Sequence, residues 1–116
     1  MRKPNKYLNI KTKIDGITFD SKKEAKRYQD LKFMLRARKI SNLITQPKFK
    51  FEINGKPLKT KDKGARQVTY TADFQYDMEG ITIVEDVKSP ATAKLSTFRI
   101  KKALFETIFD KELTLV

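Results

Sequence analysis

The chain has 116 residues, 39% of them apolar and 34% charged, with 26 Lys/Arg against 14 Asp/Glu and a net charge of +12. That length suits one domain with a modest core. There is no Cys and no His, which excludes disulfides, thiolate zinc sites and every histidine-dependent nuclease, and leaves a catalytic metal only oxygen ligands, the set preferred by Mg2+ or Mn2+. The positive charge favours polyanions through counterion release. Its distribution is uneven, since residues 1–39 alone hold 13 Lys/Arg and 4 Asp/Glu. Met1 to Lys6 is basic, but no apolar stretch follows, which argues against a secretory signal. No apolar run approaches the ~18 residues of a membrane-spanning helix.

In chain order, Lys11 to Ile14 and Ile17 to Phe19 flank Asp15-Gly16, a pair suited to a type I′ hairpin turn. A helix is predicted from Ser21 to Arg38, opened by Ser21-Lys22-Lys23-Glu24 as a capping box. Glu24, Tyr28, Leu31 and Leu35 fall on one stripe of that helix. An inward carboxylate is costly unless it is paired or bound to a metal. Glu24 therefore has two readings, a cap for Ser21 and a member of a site. Gln46-Pro47 lies in the connection to the next strand, where Gln46 is a candidate for a supporting position behind a site. Phe49, Phe51 and Ile53 alternate up to Asn54-Gly55, a second hairpin signal. Pro57 confines the return strand to an edge or a loop. Lys59 to Arg66 reads as a mobile loop or arm whose cations Lys59, Lys61, Lys63 and Arg66 contact a nucleic-acid backbone, or as a loop kept solvated by charge.

Two strands follow, Val68 to Asp77 and Ile81 to Lys88, joined by a turn at Glu79-Gly80. Period-two alternation puts Tyr70, Ala72, Phe74 and Tyr76 on one face of the first strand and Thr71, Asp73, Gln75 and Asp77 on the other. In the second strand Ile81, Ile83, Glu85 and Val87 oppose Thr82, Val84, Asp86 and Lys88. Asp86 and Lys88 thus project side by side, with Asp73 on the neighbouring strand. Two carboxylates can hold a hard divalent cation. A Lys beside them can orient a water or stabilise charge on a phosphate. Between Gln67 and Val87 the chain carries Asp73, Asp77, Glu79, Glu85 and Asp86 and no basic residue. Such an acidic island repels phosphate unless a cation sits in it. Asp77 and Glu79 also read as turn residues, and Glu85 as a supporting neighbour of the site. A second helix is predicted from Ser96 to Phe109. Its stripe of Phe98, Lys101, Phe105 and Ile108 lets Lys101 reach a phosphate or snorkel to water. Leu113 to Val116 forms a short final strand. The order of elements indicates an α/β or α+β domain with a mixed central β-sheet flanked by helices.

Glu24 on a first helix, Asp73 on a strand and Asp86-Val87-Lys88 on the next resemble the PD-(D/E)XK nuclease superfamily. The phrases Gly16-Ile17-Thr18-Phe19-Asp20-Ser21-Lys22-Lys23-Glu24-Ala25, Tyr70-Thr71-Ala72-Asp73-Phe74 and Val84-Glu85-Asp86-Val87-Lys88 are similar to a family of small phage proteins placed in that superfamily. The resemblance spans about Lys6 to Val116. It implies a restriction-endonuclease-like core and metal-dependent cleavage of DNA. By position, Asp73 and Asp86 would be the metal carboxylates, the Val87 carbonyl a further ligand, Lys88 the catalytic lysine and Glu24 the helix-borne acid. Two departures stand out: Ala72 precedes Asp73 where Pro is usual, and Asp86 stands where Glu is frequent. By analogy with junction-resolving endonucleases, the resemblance also implies a homodimer on branched DNA in phage recombination or replication. A chain this small has little surface for sequence recognition, so a targeting partner protein is also expected, as is a place in the cytoplasm, that of the host cell if the chain is phage-encoded.

The leading expectation is a Mg2+- or Mn2+-dependent DNA endonuclease. Lys11, Lys13, Arg36, Arg38, Lys59, Lys61, Lys63, Arg66 and Lys101 would hold the backbone. The alternative is a non-catalytic nucleic-acid-binding protein on the same scaffold. It accounts for the charge but not for the acidic island or the inward Glu24. A third reading is a structural protein of a phage particle or a ribosome-like assembly, which predicts no dependence on the island acids.

Overall fold

A computed structural model describes residues 11–62 and 64–116. The chain opens with a hairpin of β1 (Thr12–Ile14) and β2 (Ile17–Phe19). Its turn residues Asp15 and Gly16 both take positive φ, 52° and 77°, as a type I′ turn requires. Helix α1 (Lys22–Arg36) starts where the Ser21 side chain accepts the Glu24 N–H at 3.1 Å. Its buried stripe is Ala25, Tyr28 and Leu31. It ends in a Schellman-type cap, with Arg38 at φ 60° and Lys39 N–H donating to the Met34 carbonyl at 2.9 Å.

The next elements are β3 (Ser41–Thr45), β4 (Lys48–Lys50), β5 (Glu52–Ile53), β6 (Lys56–Pro57), β7 (Thr69–Thr71), β8 (Phe74–Met78) and β9 (Ile81–Asp86). The chain finishes with α2 (Pro90–Ala93), α3 (Ser96–Phe109) and β10 (Leu113–Leu115). A four-stranded sheet runs β10-β9-β8-β3. Strand β10 is parallel to β9 and the other pairs are antiparallel, so the sheet is mixed. This is an α+β domain with a mixed central sheet.

Each face of the sheet carries its own core. Strand β9 shows why: Ile83 packs into one apolar cluster and the next residue, Val84, into the other. The first cluster joins α1 to the sheet through Tyr28, Leu31, Phe74 and Tyr76. The second joins α3 and the β4–β7 ribbon through Phe51, Tyr70, Phe98 and Phe105. Phe51, Phe74 and Phe105 are fully buried, each contributing roughly 2–3 kcal/mol by removal from water.

Three features differ from the sequence reading. Val68 to Asp77 is not one strand, because pairing changes partner at Ala72-Asp73. Ala72 N–H donates to the Pro47 carbonyl, and Asp73 N–H to the Glu85 carbonyl. The break switches the alternation, so Tyr70 and Ala72 lie in the α3 cluster while Phe74 and Tyr76 lie in the α1 cluster. Strand β3 was not legible in the sequence: a bulge at Asn42, φ 53°, interrupts its period of two. The two ends of the Lys59–Arg66 arm continue the ribbon. Lys59 bridges Gln67, and Thr60 N–H donates to the Arg66 carbonyl at 3.0 Å. Lys63, one of the expected backbone contacts, lies outside the described residues.

Candidate metal centre

The break at Ala72-Asp73 turns Asp73 toward the end of β9. Its Oδ2 accepts the Val87 N–H at 2.7 Å. Its carboxyl group also comes within hydrogen-bonding reach of Asp86. Burial, and then the Asp86 carboxyl beside it, push the Asp73 pKa up to about 8. In the metal-free protein the Asp73 carboxyl therefore favours its protonated form at neutral pH.

Asp86 is 1% exposed. Its Oδ2 accepts a hydrogen bond from the Tyr70 hydroxyl and faces Lys88 Nζ at 3.3 Å. Its Oδ1 is buried without a hydrogen-bond partner. An orphaned carboxylate oxygen is costly in a protein interior. Burial and Asp86 together hold the Tyr70 hydroxyl well above the ordinary tyrosine range, so it stays a donor. Lys88 Nζ also lies 5.0 Å from the Phe98 ring centroid, a cation–π contact. The backbone leading into Lys88 is fixed by Val116, whose N–H donates to the Asp86 carbonyl at 2.9 Å and whose carbonyl accepts the Lys88 N–H at 3.4 Å.

Next to this pair is a cavity of about 380 Å³ between the start of α1 and the loop after β9. Asp20, Ser21, Lys23, Glu24, Val87, Lys88, Ser89 and Thr92 line it. Lys88 is the residue shared by the cavity and the carboxylate pair. Glu24 is half-buried here. Desolvation first, then the Asp20 carboxylate, raise its pKa, and Lys88 opposes them. The cap of α1 is the Ser21 side chain, which accepts the Glu24 N–H. The Glu24 carboxylate does not return to the Ser21 backbone as a capping box would have it, and it lines the cavity instead. Lys23 Nζ ties the helix start to the Lys88 carbonyl at 3.1 Å.

The donors fit a small hard cation. Among the described residues no group of three or more acids forms a closed metal cage. Mg2+ does not need one, since it is commonly held by one or two carboxylates and completes its octahedron with waters and phosphate. The orphaned oxygen on Asp86 and the raised pKa of Asp73 beside it mark the place a cation would take. The Val87 carbonyl would be the third protein ligand on the implied arrangement.

Other expected site residues fall elsewhere. The Glu85 side chain faces α1, away from Asp86, and Glu85 reaches the pair only through its backbone carbonyl, which accepts the Asp73 N–H at 3.2 Å. Its carboxylate takes two bonds from Arg27, at 2.7 and 3.0 Å, and one from the Tyr76 hydroxyl at 2.8 Å. Gln46 acts through its backbone: it holds φ 54° and donates its N–H to the Asp73 carbonyl at 2.9 Å. Asp77 is a strand residue of β8 rather than a turn residue, and its carboxylate accepts from Asn42 and Thr82. Lys101 is exposed rather than inward, and with Arg66 it lines a cleft of about 530 Å³ beside the loop. Lys59 and Lys61 are exposed on the same loop, and Lys11 and Lys13 on the first hairpin. Arg36 and Arg38 sit at the far end of α1, about 18 Å or more from Glu24 at 1.5 Å per residue. Arg38 faces Asp77 and Glu79 there, so the fold does not bring these two arginines to the site.

Tyr70 was missed as a functional residue. An aromatic in an alternating strand reads as core, and nothing in the sequence reveals where its hydroxyl points. Among the described residues no helix is long and apolar enough to cross a membrane.

No curated protein and no solved structure matches this chain. A family model described as "Protein of unknown function (DUF1064)" matches residues 4–116, and the chain belongs to that family.

Proposed function

We propose that this member of the DUF1064 family is a metal-dependent endonuclease that hydrolyses phosphodiester bonds in DNA, on a core of the restriction-endonuclease type. One observation carries the reading. A carboxylate from the break between β7 and β8 and one from the end of β9 lie side by side, the second with an unpartnered buried oxygen, and a lysine ammonium stands 3.3 Å from that same carboxylate.

Asp73 and Asp86, with the Val87 carbonyl, would hold Mg2+ or Mn2+. When bound, such an ion supplies Lewis-acid stabilisation of phosphate charge and a more acidic water. Lys88 spans the pair and the cavity, so its ammonium can bind a non-bridging phosphate oxygen at the cavity wall. Phe98 and Asp86 hold that ammonium in place before substrate arrives. Glu24, with its raised pKa, is suited to take a proton at its carboxylate from a water in the cavity. Arg66, Lys101, Lys59 and Lys61 offer the backbone a basic track beside the ribbon. Branched DNA as the preferred substrate, a homodimer, a targeting partner and a cytoplasmic location belong to the same proposal.

The test is cleavage of labelled linear duplex, nicked, flap and four-way DNA with Mg2+, Mn2+ or chelator. Wild type is compared with Lys88→Ala, and binding is followed by mobility shift. The reading expects metal-dependent cutting, lost in the variant while binding persists. Binding without cutting in any metal would contradict it and favour a non-catalytic DNA-binding protein.

A further inference from the structure

Each carboxylate of the pair has one oxygen already engaged. Asp73 Oδ2 accepts the Val87 N–H. Asp86 Oδ2 accepts the Tyr70 hydroxyl and faces the Lys88 ammonium, while Asp86 Oδ1 has no partner. Tyr70 is not free to leave. It is 5% exposed, its ring lies 5.7 Å from that of Phe105, and its backbone pairs with Phe49 across the ribbon.

We propose that Tyr70 sets which divalent cation the pair accepts, by occupying Asp86 Oδ2 so that a cation meets Oδ1 alone. This rests on the metal site proposed above and adds its selectivity. Ca2+ takes six to eight oxygens and readily uses both oxygens of a carboxylate. Mg2+ demands octahedral geometry and is served by single oxygens and water. One oxygen from each Asp suits Mg2+ and handicaps Ca2+. Tyr70 is thus a positioning residue that acts through Asp86. Removing its hydroxyl frees Oδ2 and allows two-oxygen ligation, which favours Ca2+.

The experiment is calorimetric binding of Mg2+ and of Ca2+ to wild type, Tyr70→Phe and Tyr76→Phe. Tyr76→Phe removes an equally buried tyrosine–carboxylate bond on the opposite face of β9 and serves as the control. Tyr70→Phe is expected to raise Ca2+ affinity relative to Mg2+ by about tenfold through the freed oxygen, while Tyr76→Phe leaves the ratio at the wild-type value. An unchanged ratio in Tyr70→Phe overturns the selectivity role and leaves the metal site standing. A wild type that binds neither cation overturns the metal site, and this inference with it. A readout on wild type covers the case in which Tyr70→Phe does not fold. Saturating Mg2+ should leave the tyrosine ultraviolet band in place, whereas Ca2+, competing for Oδ2, should shift it. Equal shifts from both ions overturn the inference.

Discussion

Glu85 and Asp86 are neighbours on one strand and equally buried, at 0% and 1% exposure, yet their surroundings differ in kind. Glu85 points toward α1 and meets three donor groups, two from Arg27 and one from Tyr76. Asp86 points toward α3, lies beside the carboxyl group of Asp73 and keeps one oxygen unpartnered. The first arrangement satisfies a buried charge and ties a helix to the sheet. The second leaves a buried charge incomplete, which a fold tolerates only where something else completes it. Glu85 is thus explained without any cation, and Asp86 is not.

The contrast can be broken by mutation, most strongly at the reaction itself. Lys88→Ala should lower the rate of DNA cleavage by about 10²–10³-fold, the scale of losing one preorganised charge-stabilising group, with DNA affinity close to wild type. Parallel single-turnover and mobility-shift assays would read this. Stability should respond in the opposite place. Glu85→Ala leaves Arg27 without its partner and should cost about 3 kcal/mol in a denaturant melt. Asp86→Asn should leave the metal-free protein as stable or more so, because it relieves the carboxylate pair. A large loss of stability in Asp86→Asn would place Asp86 with Glu85 as a structural residue.

A pH series sharpens the same difference. The folded-state pKa of Asp73 is raised, so the folded chain holds this proton more tightly than the unfolded chain. Its contribution to stability is fully present below the ordinary carboxylate pKa and is lost as pH rises toward about 8. Metal-free wild type should therefore lose melting temperature between pH 5 and 9 by more than Asp73→Asn does. Added Mg2+ should reverse the trend, since it replaces the proton. The smallest effects are expected at the surface. Arg66→Ala and Lys101→Ala should each reduce the slope of log Kd for DNA against log salt by about 1. Arg38→Ala, at the far end of α1, should not.

The hairpins at Asp15-Gly16 and Asn54-Gly55 and the turn at Glu79-Gly80 were legible because I′ turns need residues that tolerate positive φ. The second helix was legible in full from its apolar stripe, and the first to within two residues. The meeting of Asp73 with Asp86 and Lys88 followed from spacing. The route by which Asp73 arrives did not, because alternation alone cannot show a strand changing partner between residues. The roles of Glu85 and Tyr70 were hidden for a related reason. The partners of Glu85, Arg27 and Tyr76, lie 58 and 9 residues away. Tyr70 meets Asp86 across 16 residues. Local pattern carries no information on such contacts.

The most direct measurement is Mn2+ binding, followed by electron paramagnetic resonance, to wild type, Glu85→Gln and Asp86→Asn. The asymmetry across β9 predicts that wild type and Glu85→Gln bind the ion and that Asp86→Asn does not. Equal binding by all three, or loss in Glu85→Gln with retention in Asp86→Asn, would contradict it.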